Sequence, residues 1–203
     1  MGLMFFPDEH FHSIGCKNFL MPIEDLFSIS GRGTVVTGCI ESGFICVGDS
    51  LEMVGFNAAS IKVRCAGIET IRKMVDRAEQ GLNVGVFLKG VEKKDIRRGM
   101  VLTSPRFVCA YKRFKAEIYI LRTDEGGRTM PLYDRCRLNF YIRTVELSGE
   151  VLFPYGVKQI KPGNSLAVNI NLGLPIALNI GLRFAIRENN KTIGIGQVVE
   201  IYY

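Results

Sequence analysis

Apolar and polar residues alternate along much of the chain, in short segments that glycines and prolines separate. Every second residue is apolar in residues 114–120 and again in residues 166–172. Because successive side chains of a strand point to opposite faces of a sheet, this period of two predicts strands with one buried face. The pattern therefore predicts an all-β protein.

The first half of the chain also contains short apolar segments, separated by residues that favour turns. Residues 34–40 are predicted to form a strand, residues 41–43 a turn, and residues 44–47 the strand that returns beside it. Residues 48–49 carry a second turn signal ahead of a strand at residues 50–54. These segments predict antiparallel strands joined by short turns.

Residues 68–80 depart from this pattern. Their apolar residues are spaced like one face of a helix, and Gly81 follows as a helix stop. The apolar positions are Ile68, Ile71, Met74, Val75 and Ala78. By periodicity alone, this segment is predicted to be a short helix.

The sequence predicts two domains of similar size. A polar dipeptide followed by Pro105 separates them, so we place one domain at residues 17–106 and the other at residues 107–203. Residues 1–16 remain an unassigned amino-terminal tail. The formal net charge of the chain is +6, which favours polyanionic partners without being enough to bind them by charge alone.

Membrane insertion and metal binding are not expected from the sequence. The chain has no run of 18 or more apolar residues, and its first sixteen residues lack the Lys and Arg of a signal or transit peptide. Its six cysteines include no C-x-x-C pair, so we expect reduced, mostly buried thiols rather than a zinc site. The nearest set of metal ligands is His10, His12 and Cys16, which we interpret as part of the tail, so no metal site is predicted.

No catalytic arrangement is apparent. The chain lacks a G-x-x-x-x-G-K-[ST] phosphate loop, and β-branched residues follow Gly31-Arg32-Gly33, which indicates a turn into a strand. No histidine follows residue 12 to activate a nucleophile. Glu24-Asp25 and Asp124-Glu125 are adjacent pairs, and adjacent strand residues face opposite ways, so neither pair forms an acid/base couple. We therefore predict a protein that is not an enzyme.

Five motifs resemble, in the same order, those of elongation factor Tu, a family of translational GTPases. They are LMPIEDLFSISGRGTVVTG at residues 20–38, GRTMP at 127–131, FYIRT at 140–144, GLRFAIRE at 181–188 and KTIGIGQVV at 191–199. The resemblance runs from Lys17 to the C-terminus and covers only the family's second and third domains. It implies two antiparallel six-stranded β-barrels in tandem, with a strand and a loop in place of the helix at residues 68–80.

The resemblance also implies a task, which is to hold aminoacyl-tRNA for delivery to the ribosome. The first barrel would bind the 3′-terminal adenosine and its amino acid. Carried over by motif, this pocket comprises Glu24, Asp25, Phe27, Thr37, Ile71, Arg72 and Asn83. Acidic side chains suit an α-ammonium group, and an aromatic ring suits a base or side chain. Without the resemblance, Phe27 would be interpreted as a core residue and the acidic pair as a solvated strand edge.

The second barrel, by the same resemblance, lies along the T-stem of the tRNA. Arg128, Asn139 and Ser148 would contact its phosphates and 2′-hydroxyls. Of these, only Arg128 matches the family residue, while Asn139 and Ser148 replace a glutamine and a threonine and keep the capacity for hydrogen bonds. Further departures from the family pattern are Thr129, Leu174 and Asn189. The loss of a cation at Leu174 predicts weaker binding, with a salt dependence flatter by about one unit of slope.

The partners and location follow from the resemblance as well. GTP and Mg²⁺ would belong to the absent GTPase domain, which would itself be a partner in cis or in trans, so no cofactor is expected in this chain. An exchange factor and the ribosome are further implied partners, a membrane is not, and the implied location is the cytoplasm or an organellar matrix. The alternative is a protein-interaction module that has lost tRNA binding and docks a GTPase domain or an exchange factor. A single exposed patch of Phe107, Leu132, Tyr133 and Leu174 would favour that alternative.

Overall fold

The computed structural model describes residues 18–29, 33–71 and 73–202. The side chain of Ala58 is also outside the description. The predictions made for the amino-terminal tail with His10, His12 and Cys16, for Gly31-Arg32 and for Arg72 therefore lie outside the described residues.

The described part consists of β-strands and two short 3₁₀ helices, Lys93–Asp95 and Thr123–Glu125. The strands of the first half are β1 (Leu20–Pro22), β2 (Asp25–Ile29), β3 (Gly33–Cys39), β4 (Phe44–Cys46), β5 (Ser50–Gly55), β6 (Asn57–Thr70), β7 (Lys73–Val75), β8 (Arg77–Glu79), β9 (Asn83–Lys89) and β10 (Val101–Thr103). The strands of the second half are β11 (Cys109–Ile120), β12 (Leu132–Tyr133), β13 (Arg137–Ile142), β14 (Val145–Leu152), β15 (Gln159–Ile160), β16 (Ser165–Leu178), β17 (Arg183–Glu188) and β18 (Lys191–Tyr202). The predicted all-β class is confirmed.

The first half forms a barrel that the chain itself closes. Its antiparallel ladder runs β1-β10-β5-β6-β9-β3-β2, with β7 paired to β6. The two end strands are consecutive pieces of one segment, which only Ile23 and Glu24 separate. The Ile23 amide donates to Met100 O at 2.9 Å and the Glu24 amide donates to Thr37 O at 2.9 Å, so the segment bonds to both of its neighbours. When β1 and β2 are counted as one strand, six strands surround one core.

The core of the first barrel corrects two predictions. Ile68 lies on β6 and Ala78 on β8, and both are buried, so the helix predicted for residues 68–80 is wrong. The strand predicted to return beside β3 is present as β4, but it pairs with β8, where Phe44 lies opposite Glu79. The second error comes from a pairing between residues distant in the sequence, while the first comes from tight connections between strands, which give the apolar residues a helix-like spacing.

The second half forms a closed barrel in the order β11-β16-β14-β13-β17-β18. The alternation at residues 114–120 is confirmed, since Phe114, Ala116, Ile118 and Ile120 are all buried. The Phe184 ring packs edge-on against Phe114 and against Phe140, with centroids 5.8 Å apart in each pair. These rings fill the centre of the barrel.

The two barrels meet through a small apolar cluster and through polar contacts. The cluster contains Leu20, Val54, Val101, Val108 and Ala177. At its edge, the amide of Phe56 donates to Pro175 O at 2.7 Å, and the Phe56 ring packs against both barrel cores. The first barrel is therefore joined to the second by packed side chains as well as by the connecting segment.

The described cysteines are all free thiols. Among them Cys65 is buried, Cys39, Cys46 and Cys136 are half-buried, and Cys109 is exposed, so the prediction of mostly buried thiols is wrong in detail. Within the described ranges, no helix has the length and apolar character needed to cross a bilayer.

Candidate functional site

A groove of about 440 Å³ lies on the outer face of the first barrel, over strands β2, β3, β6 and β9. We call it the outer groove. Its lining residues are Glu24, Phe27, Ile29, Val35, Thr37, Gly38, Glu69, Ile71, Asn83, Val84 and Gly85. Five of the seven residues predicted for the aminoacyl pocket therefore line one groove, and they are Glu24, Phe27, Thr37, Ile71 and Asn83.

The apolar wall of the groove comes from the alternation of β2. Leu26 packs against the barrel core, so its neighbour Phe27 points outward, where 47% of it remains exposed. Phe27 lies directly opposite Val35 on β3, which also lines the groove. The interpretation of Phe27 as a core residue is therefore wrong, and its ring is available to a ligand.

The floor of the groove depends on Gly85. This residue lies opposite Thr37 on β3 and opposite Glu69 on β6. A Cβ added at Gly85 would sit 3.5 Å from Val35 Cγ1 and 3.9 Å from Thr37 Cγ2, at ordinary contact distance. The missing side chain therefore leaves open space that a larger residue would fill without a backbone clash.

Two carboxylates give the groove its electrostatic character. Glu24 and Glu69 both line it, and neither forms an ion pair or a side-chain hydrogen bond within the described part of the chain. No basic residue belongs to the described lining. Two unneutralised carboxylates at the edge of an apolar recess favour a cationic group such as an ammonium.

Asp25 is a predicted pocket residue that the structure leaves outside the groove. Its Oδ1 accepts a hydrogen bond from the Leu26 amide at 2.7 Å, so its carboxylate is engaged by its own backbone. Its carbonyl also accepts a long hydrogen bond, of 3.5 Å, from Thr37 Oγ1. Within the adjacent acidic pair, Glu24 lines the groove and Asp25 does not.

The rim opposite Phe27 is formed by a tight connection and by the start of β9. Thr70 pairs with Lys73, so two residues connect β6 to β7, and the first of them, Ile71, is 93% exposed with a φ of 45°. A positive φ is rare for a β-branched residue, and here the two-residue hairpin between β6 and β7 accounts for it. The Asn83 side chain makes no hydrogen bond among the described residues, so its amide is available to a ligand.

Glu69 and Ile29 line the groove and were missed by the sequence reasoning. The sequence did indicate Glu69, because it lies two residues before Ile71 and residues two apart on a strand lie on the same face. The helical spacing assigned to residues 68–80 hid that signal. Ile29 follows Phe27 at the same period of two on β2.

The residues predicted to contact the T-stem lie on neighbouring elements of the second barrel. Asn139 on β13 is directly opposite Ser148 on β14, and both are exposed. Asn139 Nδ2 donates to Glu146 Oε1 at 3.0 Å. Arg128 forms an ion pair of 3.4 Å with Glu188, at the end of the strand on the other side of β13. Asn139 and Ser148 thus share one surface, with Arg128 at its border.

The three departures from the family pattern have different positions. Thr129 is exposed beside Arg128. Leu174 is 43% exposed and lines a recess between the two barrels together with Phe56. Asn189 has a φ of 48° between β17 and β18, a conformation that asparagine tolerates better than most residues.

The second barrel carries a larger recess that the sequence did not indicate. It has a volume of about 740 Å³ and is lined by Tyr119, Tyr141, Ile195 and Arg183 among others. Ala185 on β17 pairs with Ile195 and with Tyr141 on the neighbouring strands, so a small residue lies between two large ones. This recess has aromatic and aliphatic side chains beside the charged residues Glu117 and Arg183.

The single apolar patch considered for a protein-interaction module is not present. Leu132 is only 2% exposed and pairs with Ile160, so it belongs to the interior. Phe107, Tyr133 and Leu174 are exposed, but they lie on the connection between the barrels, on β12 and on β16.

Comparison with protein families gives two matches in chain order. The model of elongation factor Tu domain 2 matches residues 33–103. The model of the elongation factor Tu C-terminal domain matches residues 107–202. The first match spans most of the outer groove, and the second spans the closed barrel.

Proposed function

The chain belongs to the elongation factor Tu family through that family's domain 2 and C-terminal domain, and from this membership we propose that it holds aminoacyl-tRNA. The outer groove would receive the terminal adenosine with its amino acid, and the second barrel would follow the T-stem. The coarser conclusion, that the chain is the β-barrel portion of a translation factor, needs only the two family matches.

One observation carries the finer proposal. An exposed aromatic ring and the carboxylates of Glu24 and Glu69, which have no partner among the described residues, face the same recess. An aminoacylated adenosine presents a flat base and an α-ammonium group a few ångströms from it. Phe27 can stack on a base or an apolar side chain, which is worth about 1–3 kcal/mol for a base. The carboxylates attract the ammonium, which uncharged tRNA lacks.

This arrangement supports recognition of the aminoacyl group without recognition of a particular amino acid. The described lining offers carboxylates, the Asn83 amide and apolar side chains, but no polar group that is buried and demands one partner. A site of this kind discriminates weakly between side chains. The same groove can therefore serve tRNAs that carry different amino acids.

The second barrel would contribute contacts that do not depend on the amino acid. Asn139 and Ser148 supply hydrogen-bonding groups on adjacent strands, and Arg128 supplies a cation at their border. Such groups suit the phosphates and 2′-hydroxyls of an A-form stem. Because Leu174 offers no cation, we expect weak binding by the two barrels alone.

We propose that the chain acts by binding and not by catalysis. GTP and Mg²⁺ would be bound by a GTPase domain that joins these barrels in cis or in trans, and an exchange factor and the ribosome would be further partners. The site of action would be the cytoplasm or an organellar matrix, where translation takes place. These partners follow from the family and not from a contact in this chain.

A second candidate function is a protein-docking module without tRNA binding. The observation in its favour is the recess on the second barrel, where Ile195 is 51% exposed and Tyr141 is 40% exposed. Exposed apolar surface of this kind is typical of protein interfaces. The two functions are compatible, because the recess and the outer groove lie on different barrels.

The outer groove can be tested by filling its floor. Gly85→Leu should reduce the affinity for aminoacyl-tRNA at least ten-fold, since the added side chain occupies the space beside Val35 and Thr37. Ala167→Leu, on an exposed position of β16 in the second barrel, is the matched control and should leave the affinity unchanged. Equal affinities of wild type and Gly85→Leu, with both folded by circular dichroism, would contradict the proposal.

A further inference from the structure

A second groove on the first barrel is strongly basic and is distinct from the outer groove. It has a volume of about 760 Å³ and lies over β5, β6 and the end of β9, beside the connection that follows β10. Its charged lining residues are Lys62, Arg64, Lys89, Arg106 and Glu52. We call it the basic groove.

Strand register brings three of the cations together. Arg64 on β6 lies directly opposite Lys89 on β9, so their Cα atoms are about 5 Å apart. Lys62 lies two residues before Arg64 on the same face of β6, at about 7 Å along the strand. All three side chains are exposed. Like charges at this separation repel one another, so the groove gains from an anion that neutralises them.

Arg106 completes the groove from the connection between the barrels. Its φ is 61°, and its amide donates to Glu52 Oε2 at 3.2 Å. The carboxylate within the groove is therefore engaged by backbone. Among the described residues, Lys62, Arg64, Lys89 and Arg106 form no ion pair, while the Arg64 Nε donates to Gly48 O at 3.1 Å. No ion pair therefore neutralises these four cations within the described residues, and the one acidic residue among the described lining, Glu52, lies opposite Lys62 on β5.

The dimensions of the groove favour a run of phosphates over one phosphate. The groove reaches from β9 across the neighbouring strands β6 and β5 to the connection that follows β10. Three inter-strand spacings separate β9 from β10, so the groove is about 14 Å across. One phosphate cannot reach cations at both ends of such a span. A nucleic-acid duplex presents about one charge for every 1.7 Å of its axis, so its backbone can engage all four.

The lining also argues against a free nucleotide. None of the described residues that line the basic groove is aromatic, so a base finds no ring among them on which to stack. Leu51 and Val63 are buried and expose almost no surface, which leaves Pro105 as the exposed apolar residue of the described lining. Groups that contact phosphates without contacting bases bind independently of sequence.

We propose that the basic groove binds the phosphate backbone of a helical RNA, as a site separate from the outer groove. The two grooves occupy the same outer face of the β6–β9 pair. Glu69 opposite Gly85 belongs to the outer groove, Arg64 opposite Lys89 belongs to the basic groove, and Phe87 lies between them along β9. Lys89 lies four positions after Gly85 on β9, or about 13 Å along the strand. RNA at the basic groove therefore does not depend on an aminoacyl end in the outer groove.

The test uses the full chain and a blunt RNA duplex of about 16 base pairs, which has no 3′ overhang and no amino acid. Binding is measured by fluorescence anisotropy at several salt concentrations. The triple variant Lys62→Gln, Lys89→Gln and Arg106→Gln should lower the affinity at least ten-fold. It should also reduce the slope of log affinity against log salt by about two to three units, since each lost phosphate contact removes about 0.9.

A matched control removes the same charge elsewhere. Lys112→Gln, Lys158→Gln and Lys161→Gln neutralise three exposed cations of the second barrel that form no ion pair in the described part, and should change the affinity less than two-fold. Equal losses in the two triple variants would overturn the proposal, because net charge alone would then explain them. Full retention of binding by the first variant would overturn it as well.

Competition separates RNA from other anions. Inorganic tripolyphosphate or a polyglutamate peptide that displaces the duplex at equal concentration of charge would overturn the assignment to an RNA backbone. Weaker competition by both is the expected result. Gly85→Leu should leave duplex binding unchanged. Asn139→Ala with Ser148→Ala, at the second-barrel surface proposed for the T-stem, should leave the salt slope unchanged because neither residue is charged. Failure at the basic groove is therefore distinguishable from failure of the proposed function.

Discussion

Arg143 of the second barrel forms an ion pair with Glu41 of the first, with 2.7 Å between Nε and Oε2. The Arg143 side chain is only 6% exposed. Its Nη1 donates to Ala177 O at 2.6 Å and its Nη2 donates to Asn179 Oδ1 at 2.6 Å. One guanidinium therefore joins Glu41 to two residues around the end of β16. This junction adds polar contacts to the apolar cluster that joins the two barrels.

Removing this guanidinium should destabilise the protein. Arg143→Ala leaves the Ala177 carbonyl and the Asn179 amide without their donors, and the free energy of unfolding should fall by about 2–3 kcal/mol. Glu41 is 40% exposed, so water compensates for part of the lost ion pair. Equilibrium unfolding in urea measures the change. Glu41→Gln is the control, with an expected loss below about 1 kcal/mol, and a loss below about 0.5 kcal/mol for Arg143→Ala would contradict the interpretation.

The groove carboxylates should affect charged tRNA only. Glu24→Gln and Glu69→Gln each remove one negative charge that faces the groove, and each should weaken aminoacyl-tRNA binding roughly five-fold, or by about 1 kcal/mol. Uncharged tRNA, which lacks the ammonium, should bind as before. Asp25→Asn is a close control, because it makes the same chemical change next to Glu24 but outside the groove. A larger effect at Asp25 than at Glu24 would assign the ammonium to a different position.

The ring of Phe27 should contribute by stacking. Phe27→Ala should lower the affinity for aminoacyl-tRNA by about 1–3 kcal/mol, the range found for base–aromatic stacking. Its effect on stability should be small, because the side chain is 47% exposed. Calorimetric titration measures the first effect and thermal unfolding the second. The control is Phe107→Ala, which truncates a ring of similar exposure on the connection between the barrels and should not affect binding. If Phe27→Ala lowers the stability without lowering the affinity, Phe27 has a packing role instead.

The buried thiols should respond to pH in a defined direction. Burial raises the pKa of Cys65 from 9.0 to about 11, and it raises the pKa of Cys136 from 9.0 to about 11. The folded protein thus favours the neutral thiol. This contribution is fully present below pH 9 and is lost as the pH rises from about 9 to about 11, because the unfolded chain ionises first. Urea unfolding between these pH values measures the loss, and Cys65→Ala should remove part of it.

The rate of alkylation tests the burial of Cys65 independently. At pH 8, the exposed Cys109 should react with iodoacetamide much faster than Cys65, because the thiolate is the reacting species and Cys65 is neutral and buried. Mass spectrometry of a time course identifies the order. Early labelling of Cys65 would mean that β6 opens often.

The strands were predictable from the sequence wherever one face of the strand is buried and the other is exposed to solvent. Phe114 and Ile118 are buried on β11, as the period of two predicts, because that strand meets the core on one side only. The segment from Ile68 to Ala78 misled the same analysis, since the end of β6 and the short strands β7 and β8, joined by two tight connections, place apolar residues at intervals that also fit a helix. The cross-strand partner of Phe44 could not be predicted from the neighbouring sequence, because that partner, Glu79, lies 35 positions further along the chain.

The site was predictable only through the family resemblance. Composition gives no reason to bring Glu24 and Asn83 together, and their proximity arises from the order of β2, β3 and β9. Glu69 enters the groove because it pairs with Gly85, a register that the sequence does not specify. The recess around Tyr141 depends on small Ala185 between larger neighbours on adjacent strands. Spatial pairing, and not residue type, decides these features.

The central claim is that the outer groove recognises the amino acid esterified to the end of a tRNA. The most direct measurement compares the dissociation constants of the full chain for one tRNA in its charged and uncharged forms, at fixed salt and with a hydrolysis-resistant amide in place of the ester. Tighter binding of the charged form by at least about five-fold is predicted, corresponding to about 1 kcal/mol for the ammonium. Equal dissociation constants for the two forms would contradict the claim.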